Sequence, residues 1–460
     1  MASSAAAQTT RPSVLSAAFK PKVSPESERL KILDAVARSL PAAATIACPS
    51  AIAASGFTFA THDASGGRDD WRHHRHGHGR GRGQSSTKAE HSGTSPMAHW
   101  SAAAIVGIAH RGASAELPEH TRGAYELAVA EGADFIECDV VLTADLVPLC
   151  RHEPNLINST DAAAKFPDRW RNYTIDGEMV TGIFSVDLTA AEVSTLRAVQ
   201  PWPFRNQSYN GRFRIATLAD YLEVALSANG NVGIYPETKH PTWTNSLPTL
   251  RAANTSLEDI LLGALTAAGF GAPLYSDAWT QRPIFLQSFE ASSLRYLAAR
   301  TCAPMVLLLG DWEGWVAPDT GHTLAQLTED SSLAEITQWA AAVGPSKRTL
   351  VSWQSGEVRG DSMGSAAHRQ ARQTKGGGGG GRYVSSGLVE RFHAHGLLVH
   401  TYTVRPEPRF FLPHLEAGDV TAEYELLLGA EVAADGVFTD HMPSLKDWKN
   451  IQIGAAAAAA

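Results

Sequence analysis

Residues 104–111 read Ala-Ile-Val-Gly-Ile-Ala-His-Arg, an apolar run that ends directly in two basic side chains. A continuous apolar run of this kind is typical of a strand buried on both faces, as in a parallel sheet covered by helices. His110 and Arg111 therefore follow the end of a buried strand, a common place for the catalytic groups of α/β folds. The run predicts the first strand of an α/β protein.

A second strand is predicted at Asp134–Leu142, after one helical stretch. Side chains alternate along a strand, so Glu137 and Asp139 share one face and Cys138 takes the other. Two carboxylates side by side on a buried strand repel each other unless a cation lies between them. The pair therefore indicates a cation site beside the first strand.

Strand-like and helix-like runs alternate from Ala103 onward. The remaining predicted strands are Val232–Glu237, Pro283–Phe289, Met305–Leu309, a strand near Ala342–Val351, Leu397–Val404 and Asp435–Thr439. Amphipathic helical stretches lie between most of them, namely Arg122–Ala130, Leu218–Ala228, Leu257–Ala268, Ser332–Ala342 and Leu388–His395. Eight repeated βα units predict a closed (β/α)8 TIM barrel, which we place over residues 103–448.

Two segments interrupt this alternation. Pro154–Ile215 is long, turn-rich and aromatic, and we expect an insertion after the second strand that packs as a cap over the barrel mouth. Residues 359–382 contain the glycine block Gly376–Gly381, which predicts a flexible surface insertion. The closing residues 449–460 end in six alanines and are expected to form an unstructured tail.

Residues 1–100 differ in composition from the rest of the chain. Met1–Val23 has no acidic residue and is rich in Ala, Ser and Thr, which suits a transit peptide for a chloroplast or another organelle. A tract rich in Arg, His and Gly at residues 72–83 predicts a disordered linker more strongly than a segment that binds metal or RNA. Four N-glycosylation sequons begin at Asn158, Asn172, Asn206 and Asn254. They keep a secreted or vacuolar location open.

Composition narrows the class of protein. The chain has 460 residues, 44% of them hydrophobic, and a formal net charge of −8. These values suit a soluble globular core, and the acidic balance argues against nucleic acid as the main partner. No apolar run reaches the length of about 18 residues that a membrane span needs. The oligomeric state stays open.

The four cysteines are too few and too scattered for a disulfide framework, and none has the spacing of zinc ligands. Cys138 and Cys150 fall on strands that can be neighbours, which allows a disulfide between them. We expect instead that they are two small buried apolar side chains. Cysteine usage leaves the compartment open.

Further polar side chains stand at predicted strand ends. His152 follows the short run Val147–Cys150, and Glu237 and Lys239 share one face at the end of the third barrel strand. In a barrel these positions converge on one mouth. The sequence therefore brings three carboxylates, two imidazoles and two cations to one place.

This set of groups fits cleavage of a phosphodiester. Three carboxylates suit a hard cation, Ca²⁺ or Mg²⁺, better than Zn²⁺, and such a cation neutralises phosphate charge. The guanidinium of Arg111 can grip two phosphate oxygens as a fork, and Lys239 adds a compact positive charge. Two histidines whose pKa lies near neutrality divide the proton transfers, one as base and the other as acid.

Ordered motifs along the chain carry a resemblance to a known family. They are His110-Arg111-Gly112, Pro118-Glu119-His120-Thr121, Glu137-x-Asp139, His152, Glu237-x-Lys239, Gln287-Ser288-Phe289, Val399–Arg405 and Asp435–Asp440. In this order they resemble the glycerophosphodiester phosphodiesterase family over about Ala103–Trp448. Asn158–Trp170 and Tyr209-Asn210-Gly211 resemble its branch with a long insertion after the second histidine, found in bacterial periplasmic and plant enzymes.

The resemblance implies a TIM barrel, a divalent metal and hydrolysis of glycerophosphodiesters to glycerol 3-phosphate and an alcohol. By position, the acid–base pair is His110 and His152, the metal ligands are Glu137, Asp139 and Glu237, and the substrate-binding residues are Arg111, Lys239 and Tyr402. Three positions depart from the family pattern. Glu153 stands where Asp is usual, His120 where Asn is commoner, and Tyr402 where many members carry Trp.

Two alternatives stay open. A related barrel phospholipase that cleaves phosphoinositides or sphingomyelin needs an exposed apolar or basic rim for the membrane, and the sequence does not identify one. A catalytically inactive scaffold or surface protein is possible on the same fold, because a fold alone does not fix function. Loss of a histidine or a carboxylate marks such a protein, and this chain retains all of them.

Overall fold

A computed structural model describes residues 105–228, 232–355, 381–415 and 420–459. The predictions for residues 1–100, and those for most of the glycine-rich segment at 359–382, lie outside this part of the chain.

Eight parallel strands of the described residues close into a barrel. They are β1 Val106–Ala109, β2 Phe135–Leu142, β6 Gly233–Thr238, β7 Leu286–Ser288, β8 Met305–Leu309, β9 Ala342–Pro345, β12 Leu398–Val404 and β13 Gly436–Thr439. Each strand pairs with the next in this order, and β1 pairs with both β2 and β13, which closes the ring. The predicted TIM barrel and its eight strands are confirmed.

Five further strands lie outside the ring. β3, Pro148–Cys150, pairs antiparallel with β2. The hairpin of β4, Arg171–Ile175, and β5, Glu178–Gly182, belongs to the insertion. The hairpin of β10, Val351–Ser355, and β11, Gly381–Ser385, flanks the glycine-rich segment.

The predicted strand near Ala342–Val351 is only partly correct. The parallel ladder ends at Pro345, the 3₁₀ helix Lys347–Leu350 follows, and the chain then enters β10. Proline has no backbone N–H to donate to a ladder, and this favours the end of β9 at Pro345.

Helices surround the barrel and fill the connections between its strands. They are α1 Arg122–Ala130, α2 Ala162–Lys165, α3 Ala190–Thr195, α4 Leu218–Ser227, α5 Pro241–Ser246, α6 Pro248–Ala253, α7 Leu257–Ala267, α8 Asp277–Gln281, α9 Ala291–Ala298, α10 Leu324–Leu327, α11 Asp330–Ile336, α12 Leu388–Ala394, α13 Val420–Leu428 and α14 Met442–Ala459. Short 3₁₀ turns occur at Ser185–Asp187, Gln207–Tyr209 and Pro408–Phe410. Among the described helices none is long and apolar enough to cross a membrane.

Capping residues determine where two of the helices begin. The Thr121 side chain accepts a hydrogen bond from the Ala124 N–H and begins α1. Thr217 and Asp220 exchange the paired bonds of a capping box at the start of α4. Each cap satisfies a backbone donor that has no partner inside the helix. These caps explain why the predicted starts of the two helices, Arg122 and Leu218, match the observed ones.

The insertion at 154–215 is more regular than the sequence indicates. It contains the β4–β5 hairpin, α2, α3 and two 3₁₀ turns. It also has a small core of its own with Leu149 and Val141 of the barrel, made by Leu156, Ile183, Leu188, Val193, Leu196 and Ile215. Short elements separated by turns have no long hydrophobic period, which is why the sequence pattern did not predict them.

Two predictions, one for the C-terminal residues and one for a pair of cysteines, are wrong. Residues 449–459 are not an unstructured tail, because α14 continues through the alanines to Ala459. Alanine has the highest intrinsic helix propensity, so an Ala-rich segment extends a helix that packing has already nucleated. Cys138 and Cys150 are not two separate apolar side chains, because they form a disulfide with Cα atoms 5.5 Å apart.

Candidate active site

The two-residue alternation of side chains along the barrel strands places the polar groups of the site. A cluster inside the barrel contains Ile108, Phe135, Tyr235, Phe285 and Phe438. Two residues beyond each, in the direction of the strand, stand His110, Glu137, Glu237, Gln287 and Asp440. Because a strand repeats every two residues, these polar groups face the same interior as the aromatic cluster, one layer nearer the carboxyl ends of the strands. We call this end of the barrel the mouth.

The carboxylates of β2 and β6 meet across a strand pair. Asp139 and Glu237 lie directly opposite each other in the parallel register. Burial, the charge of Asp139 and a hydrogen bond that protonated Glu237 donates to Asp139 raise the pKa of Glu237 to about 8, although Lys239 opposes the rise. Burial and the charges of Asp139 and Glu237 also raise the pKa of Glu137 well above its ordinary value. Two of the three buried carboxyl groups are thus destabilised as anions, whereas the charge of Lys239 and a hydrogen bond from His120 hold the pKa of Asp139 well below its ordinary value in spite of burial.

His120 is a site residue to which sequence reasoning gave no role. Its ring is fully buried, its Nε2 lies 2.8 Å from Asp139 Oδ2 and its Nδ1 lies 2.8 Å from the Tyr125 hydroxyl. A metal ion needs several ligand atoms close together. In the described part of the chain, one group of three such side chains has its ligand atoms within 4.8 Å of one another, and its members are His120, Glu137 and Asp139. The one sequence signal for His120 was that it stands where the family pattern Pro-Glu-Asn-Thr has Asn. The sequence offered no reason for this difference.

The donor set fits a divalent cation. Carboxylate oxygens of Glu137, Asp139 and Glu237 are the ligands that Ca²⁺ and Mg²⁺ prefer, and an imidazole beside them is compatible with several divalent ions. Glu237 lies opposite Gln287 in register, and Gln287 Oε1 is buried without a hydrogen-bond partner among the described residues. An orphaned acceptor beside three carboxylates is an arrangement that a bound cation would satisfy.

Arg111 and Lys239 supply positive charge to the same cluster. The backbone N–H of Arg111 donates to Glu137 at 2.7 Å, and its Nη1 lies 3.0 Å from Glu119 Oε2. Lys239 Nζ lies 3.1 Å from Glu237 and 3.5 Å from Asp139. Arg111 Nε is buried and makes no hydrogen bond in the described residues, and it lies 3.6 Å from Asp139 Oδ2. A donor without a hydrogen bond, beside carboxylates that are already engaged, suits an anionic ligand such as a phosphate.

His110 follows β1, which lies across the strand ring from β8. Its Nδ1 lies 2.6 Å from Asp440 Oδ1, on the loop after β13. Burial of the ring, then the charge of Arg111, lowers the pKa of His110 to about 4 against the effect of Asp440. The imidazole is therefore neutral at pH 7, and the carboxylate on Nδ1 favours the tautomer with Nε2 as acceptor.

His152 has a similar partner on its own loop. Its Nδ1 lies 3.0 Å from Glu153 Oε1, and its side chain is 36% exposed. Burial, followed by the charges of Arg111 and Lys239, lowers its pKa. Arg111 and Lys239, whose charges act on His152, also contact the carboxylate cluster. His152 therefore lies at the same site as that cluster.

Aromatic side chains form one wall of the mouth. The Tyr402 hydroxyl donates to the Leu309 carbonyl at 2.8 Å, so its ring and not its hydroxyl faces the open side. Phe289 packs against Tyr402 and against Trp312, with ring centroids 6.1 Å and 5.9 Å apart. Trp312 is 56% exposed and is available to a ligand. Tyr402 thus stands in this wall with a smaller ring than Trp, and its part in substrate binding stays a prediction.

A family model described as the glycerophosphoryl diester phosphodiesterase family matches residues 110–444. The glycerophosphodiester phosphodiesterase GDPD6 of Arabidopsis thaliana is 37% identical to 75% of this chain, over 86% of its own length. A glycerophosphodiester phosphodiesterase of Haemophilus influenzae is 28% identical to 72% of this chain, over 86% of its own length. A solved structure of an Oleispira antarctica phosphodiesterase with the product sn-glycerol-3-phosphate is 16% identical, with a TM-score of 0.46 over 76% of this chain and 99% of that one.

Proposed function

Because the chain belongs to the glycerophosphoryl diester phosphodiesterase family and is an enzyme of that class, we propose that it cleaves glycerophosphodiesters by metal-dependent acid–base catalysis. The products are sn-glycerol 3-phosphate and the alcohol of the head group. His110 and His152 are the acid–base pair in this proposal. Glu137, Asp139 and Glu237 hold the divalent cation, Ca²⁺ or Mg²⁺, with His120 beside them.

One observation carries the proposal. Each histidine of the mouth has a carboxylate on its Nδ1, Asp440 for His110 and Glu153 for His152. In the described part of the chain neither ring has a hydrogen-bond partner on Nε2. Two imidazoles oriented in this way, around a cluster of carboxylates and cations, can exchange protons with a ligand held between them.

The charged side chains of the mouth bind and orient the phosphodiester. Arg111 Nε, which makes no hydrogen bond among the described residues, and the ammonium of Lys239 stand beside the carboxylates, and in this proposal they hold the non-bridging phosphate oxygens. When bound, the cation would neutralise phosphate charge and polarise an attacking oxygen. Glu119 fixes the Arg111 guanidinium from the other side at 3.0 Å, which limits its rotation.

The two rings have different roles in the proposal. His110 is buried and neutral, with a pKa of about 4, so it takes the proton from the attacking oxygen. His152 is more exposed and stands beside Arg111 and Lys239, whose charges lower its pKa. A phosphate anion bound to these two cations offsets their charge and favours protonated His152, which then gives its proton to the leaving alcohol.

An assay of the purified chain tests the proposal. Glycerophosphocholine, glycerophosphoethanolamine and glycerophosphoglycerol are incubated with the protein, with and without a chelator, and release of glycerol 3-phosphate is measured. We expect turnover that the chelator abolishes and Ca²⁺ or Mg²⁺ restores. Cleavage of diacyl phospholipid vesicles in place of the soluble diesters would favour the phospholipase alternative. Absence of turnover on every diester would leave the inactive scaffold as the better description.

A further inference from the structure

We propose that the insertion at residues 154–215 positions both histidines of the mouth, through Arg205 for His110 and through Asp176 for His152. The inference rests on the proposed acid–base roles of the two rings. Both insertion residues act through other side chains, so they are positioning residues and not catalytic ones.

The first link runs through Asp440. Arg205 Nη2 lies 2.6 Å from Asp440 Oδ2, and Asp440 Oδ1 lies 2.6 Å from His110 Nδ1. Arg205 is itself fixed from two further sides, by Glu407 at 2.6 Å from Nε and by the Ser114 carbonyl at 3.0 Å from Nη1. Its side chain is 2% exposed. A buried guanidinium with these partners allows the Asp440 carboxylate little freedom to rotate.

The second link runs through His240 and Glu153. His240 Nε2 lies 3.0 Å from Glu153 Oε2, while Glu153 Oε1 lies 3.0 Å from His152 Nδ1. The other nitrogen of His240, Nδ1, lies 2.6 Å from Asp176 Oδ2. Asp176 has a φ of 49° and is part of the turn between β4 and β5 in the insertion. The hairpin tip therefore ends a chain of polar contacts that begins at His152.

The two links have the same design. In each, one oxygen of a carboxylate binds the histidine and the other oxygen binds a cationic group. Glu153 Oε2 binds His240, while Asp440 Oδ2 accepts from Arg205 and also from Arg405 Nε at 3.1 Å. Burial lowers the pKa of His240, but the hydrogen bonds to Asp176 and Glu153 raise it to about 9, so it is a cation at neutral pH. Outer-shell partners of this kind fix ring orientation and tautomer, and losing one commonly costs about 10–100-fold in activity.

A purely structural role is the competing interpretation. A substitution that merely loosens the insertion would weaken substrate binding and protein stability without regard to the leaving group. Loss of orientation at the histidines lowers kcat and leaves KM nearly unchanged. The effect of the leaving group also distinguishes the two links. A misplaced acid matters little when the leaving group is already acidic, so only the link to His152 should show this dependence.

The experiment compares Arg205→Met and Asp176→Asn in the full chain with a matched control. Asn tolerates the left-handed backbone at position 176, so the turn is kept while the charge is lost. Arg169→Met is the control, because Arg169 pairs with Glu192 at 2.9 Å inside the insertion and has no link to either histidine. The substrates are glycerophosphocholine and the nitrophenyl ester of glycerol 3-phosphate.

For Arg205→Met we expect kcat to fall by about 10–100-fold on both substrates with KM within about twofold. For Asp176→Asn we expect a fall on the order of tenfold for glycerophosphocholine and a clearly smaller fall for the nitrophenyl ester. Arg169→Met should match the wild type on both. If Arg205→Met does not fold, Glu407→Gln loosens the same guanidinium from a less buried position and should also lower kcat.

The outcomes separate this inference from the proposed function. If the wild-type protein does not cleave glycerophosphodiesters, the proposed function fails. If the wild type is active and the alanine variants of His110 and His152 are not, while Arg205→Met and Asp176→Asn behave like Arg169→Met, only the positioning role is overturned. A rise in KM with unchanged kcat in both insertion variants would also overturn it.

An independent set of observations points to a modification. We infer that the chain carries N-linked glycans at its sequons and passes through the secretory route. The asparagines that begin the four sequons, Asn158, Asn172, Asn206 and Asn254, are all exposed. In the described residues none of their Nδ2 atoms, to which a glycan attaches, makes a hydrogen bond. Three of the four stand on the insertion.

The Cys138–Cys150 disulfide supports the same compartment. Disulfides persist in the oxidising secretory route and are rare where thiols are kept reduced. In the modification, the amide Nδ2 forms a bond to the anomeric carbon of a lipid-pyrophosphate-linked oligosaccharide. The bond from that carbon to the pyrophosphate oxygen breaks, the amide loses one proton, and the lipid pyrophosphate leaves.

Expression of the full chain in a eukaryotic cell tests this second inference. We expect glycosidase treatment to increase the gel mobility of the protein, and each of the variants N158Q, N172Q, N206Q and N254Q to remove part of that shift. A chain that shows no shift on glycosidase treatment and accumulates in an organelle that imports its proteins from the cytosol would overturn it and would favour the transit-peptide prediction.

Discussion

His110 and His152 show how much the surroundings of a residue add to its identity. Both are histidines at the mouth, but His110 is buried against Asp440 while the His152 side chain is 36% exposed beside Glu153. Sequence position predicted both rings, because each follows a short apolar run. It did not predict Asp440 as a partner, since 330 residues separate it from His110 and only the closed barrel brings the two together.

The first prediction concerns these two rings. His110→Ala and His152→Ala should each lower kcat by about 10²–10⁴-fold, because each removes one proton transfer. The double variant should be little worse than the poorer single one, since residues that act as a unit are not additive. If His152 is the acid, an ester with a nitrophenyl leaving group should restore much of the activity of His152→Ala. Rescue of His110→Ala instead would exchange the two roles, and a loss of only a few-fold in both would refute the pair.

The second prediction concerns the carboxylate cluster. Glu137→Gln should weaken binding of Ca²⁺ or Mg²⁺, because a neutral amide oxygen does not replace a carboxylate at a divalent site. Calorimetric titration of the metal-free protein measures this binding without reference to turnover. Glu223→Gln is the control, because Glu223 pairs with Arg122 at 2.9 Å on helices outside the mouth. Equal metal affinity in the wild type and Glu137→Gln would show that the cation is held elsewhere.

Several site residues escaped sequence reasoning, for two different physical reasons. Glu119 and His120 lie on an irregular loop, where no alternation shows which side chains point inward. Gln287 and Asp440 did follow the alternation of their strands, two residues beyond the interior Phe285 and Phe438. Extending the period-2 rule past the end of every predicted strand would have found both. The sequence marked His120 as a departure from the family pattern, but the contacts of the two loop residues become visible only in the fold.

At the scale of elements, the strands were predicted well because each is a short apolar run with clear borders. Helices with a threonine cap and an amphipathic face were predicted well for the same reason. The pattern failed where a secondary structure element is stabilised by its neighbours. The β4–β5 hairpin is exposed over most of its length, and its sequence has no buried face to reveal it.

The third prediction concerns the disulfide between β2 and β3. It joins Cys138, which stands between Glu137 and Asp139, to Cys150, two residues before His152. The crosslink closes a loop of 12 residues, and replacing both cysteines by alanine should lower the free energy of unfolding by about 3 kcal/mol. Urea denaturation measures the change. Cys150→Ala alone should lose as much as the double variant, and a single variant as stable as the wild type would show that the crosslink contributes little.

The fourth prediction concerns the hairpin contact at His240. Its pKa is raised to about 9, so the stabilisation it provides is complete below the unfolded value of 6.5 and is lost as the pH rises through about 9. The difference in unfolding free energy between the wild type and His240→Gln should therefore be largest near pH 6 and shrink by pH 10. Urea denaturation at several pH values measures it. A difference that stays constant over this range would mean that the ring is not charged in the folded protein.

At the scale of the whole molecule, the barrel explains why residues far apart in sequence act together. Its ring joins β1 to both β2 and β13, so the first and last strands contribute His110 and Asp440 to the same wall. The insertion is then the largest addition to the mouth side, since its Arg205 and Asp176 reach both histidines. Composition predicted such an insertion, but its contacts with the mouth depend on the three-dimensional fold.

The fifth prediction concerns the glycine-rich segment between β10 and β11. Ser355 and Gly381 lie directly opposite each other at the open end of this antiparallel hairpin, so two residues can join them. Replacing residues 356–380 by Asn-Gly, the dipeptide that favours the tight turn of a hairpin, should therefore leave the barrel intact. We expect kcat and KM on glycerophosphocholine within about twofold of the wild type, and an unfolding free energy equal to it or slightly higher, because a shorter loop costs less entropy to close.

Deletion of Pro154–Ile215 is the contrasting change. It removes a segment with its own core and both contacts to the histidines, and it should abolish turnover. Steady-state kinetics and urea denaturation of the two shortened proteins measure the difference. A shortened hairpin that folds but does not turn over substrate would show that the glycine-rich segment reaches the mouth. Full activity without the insertion would show that the two histidines are held by the barrel alone.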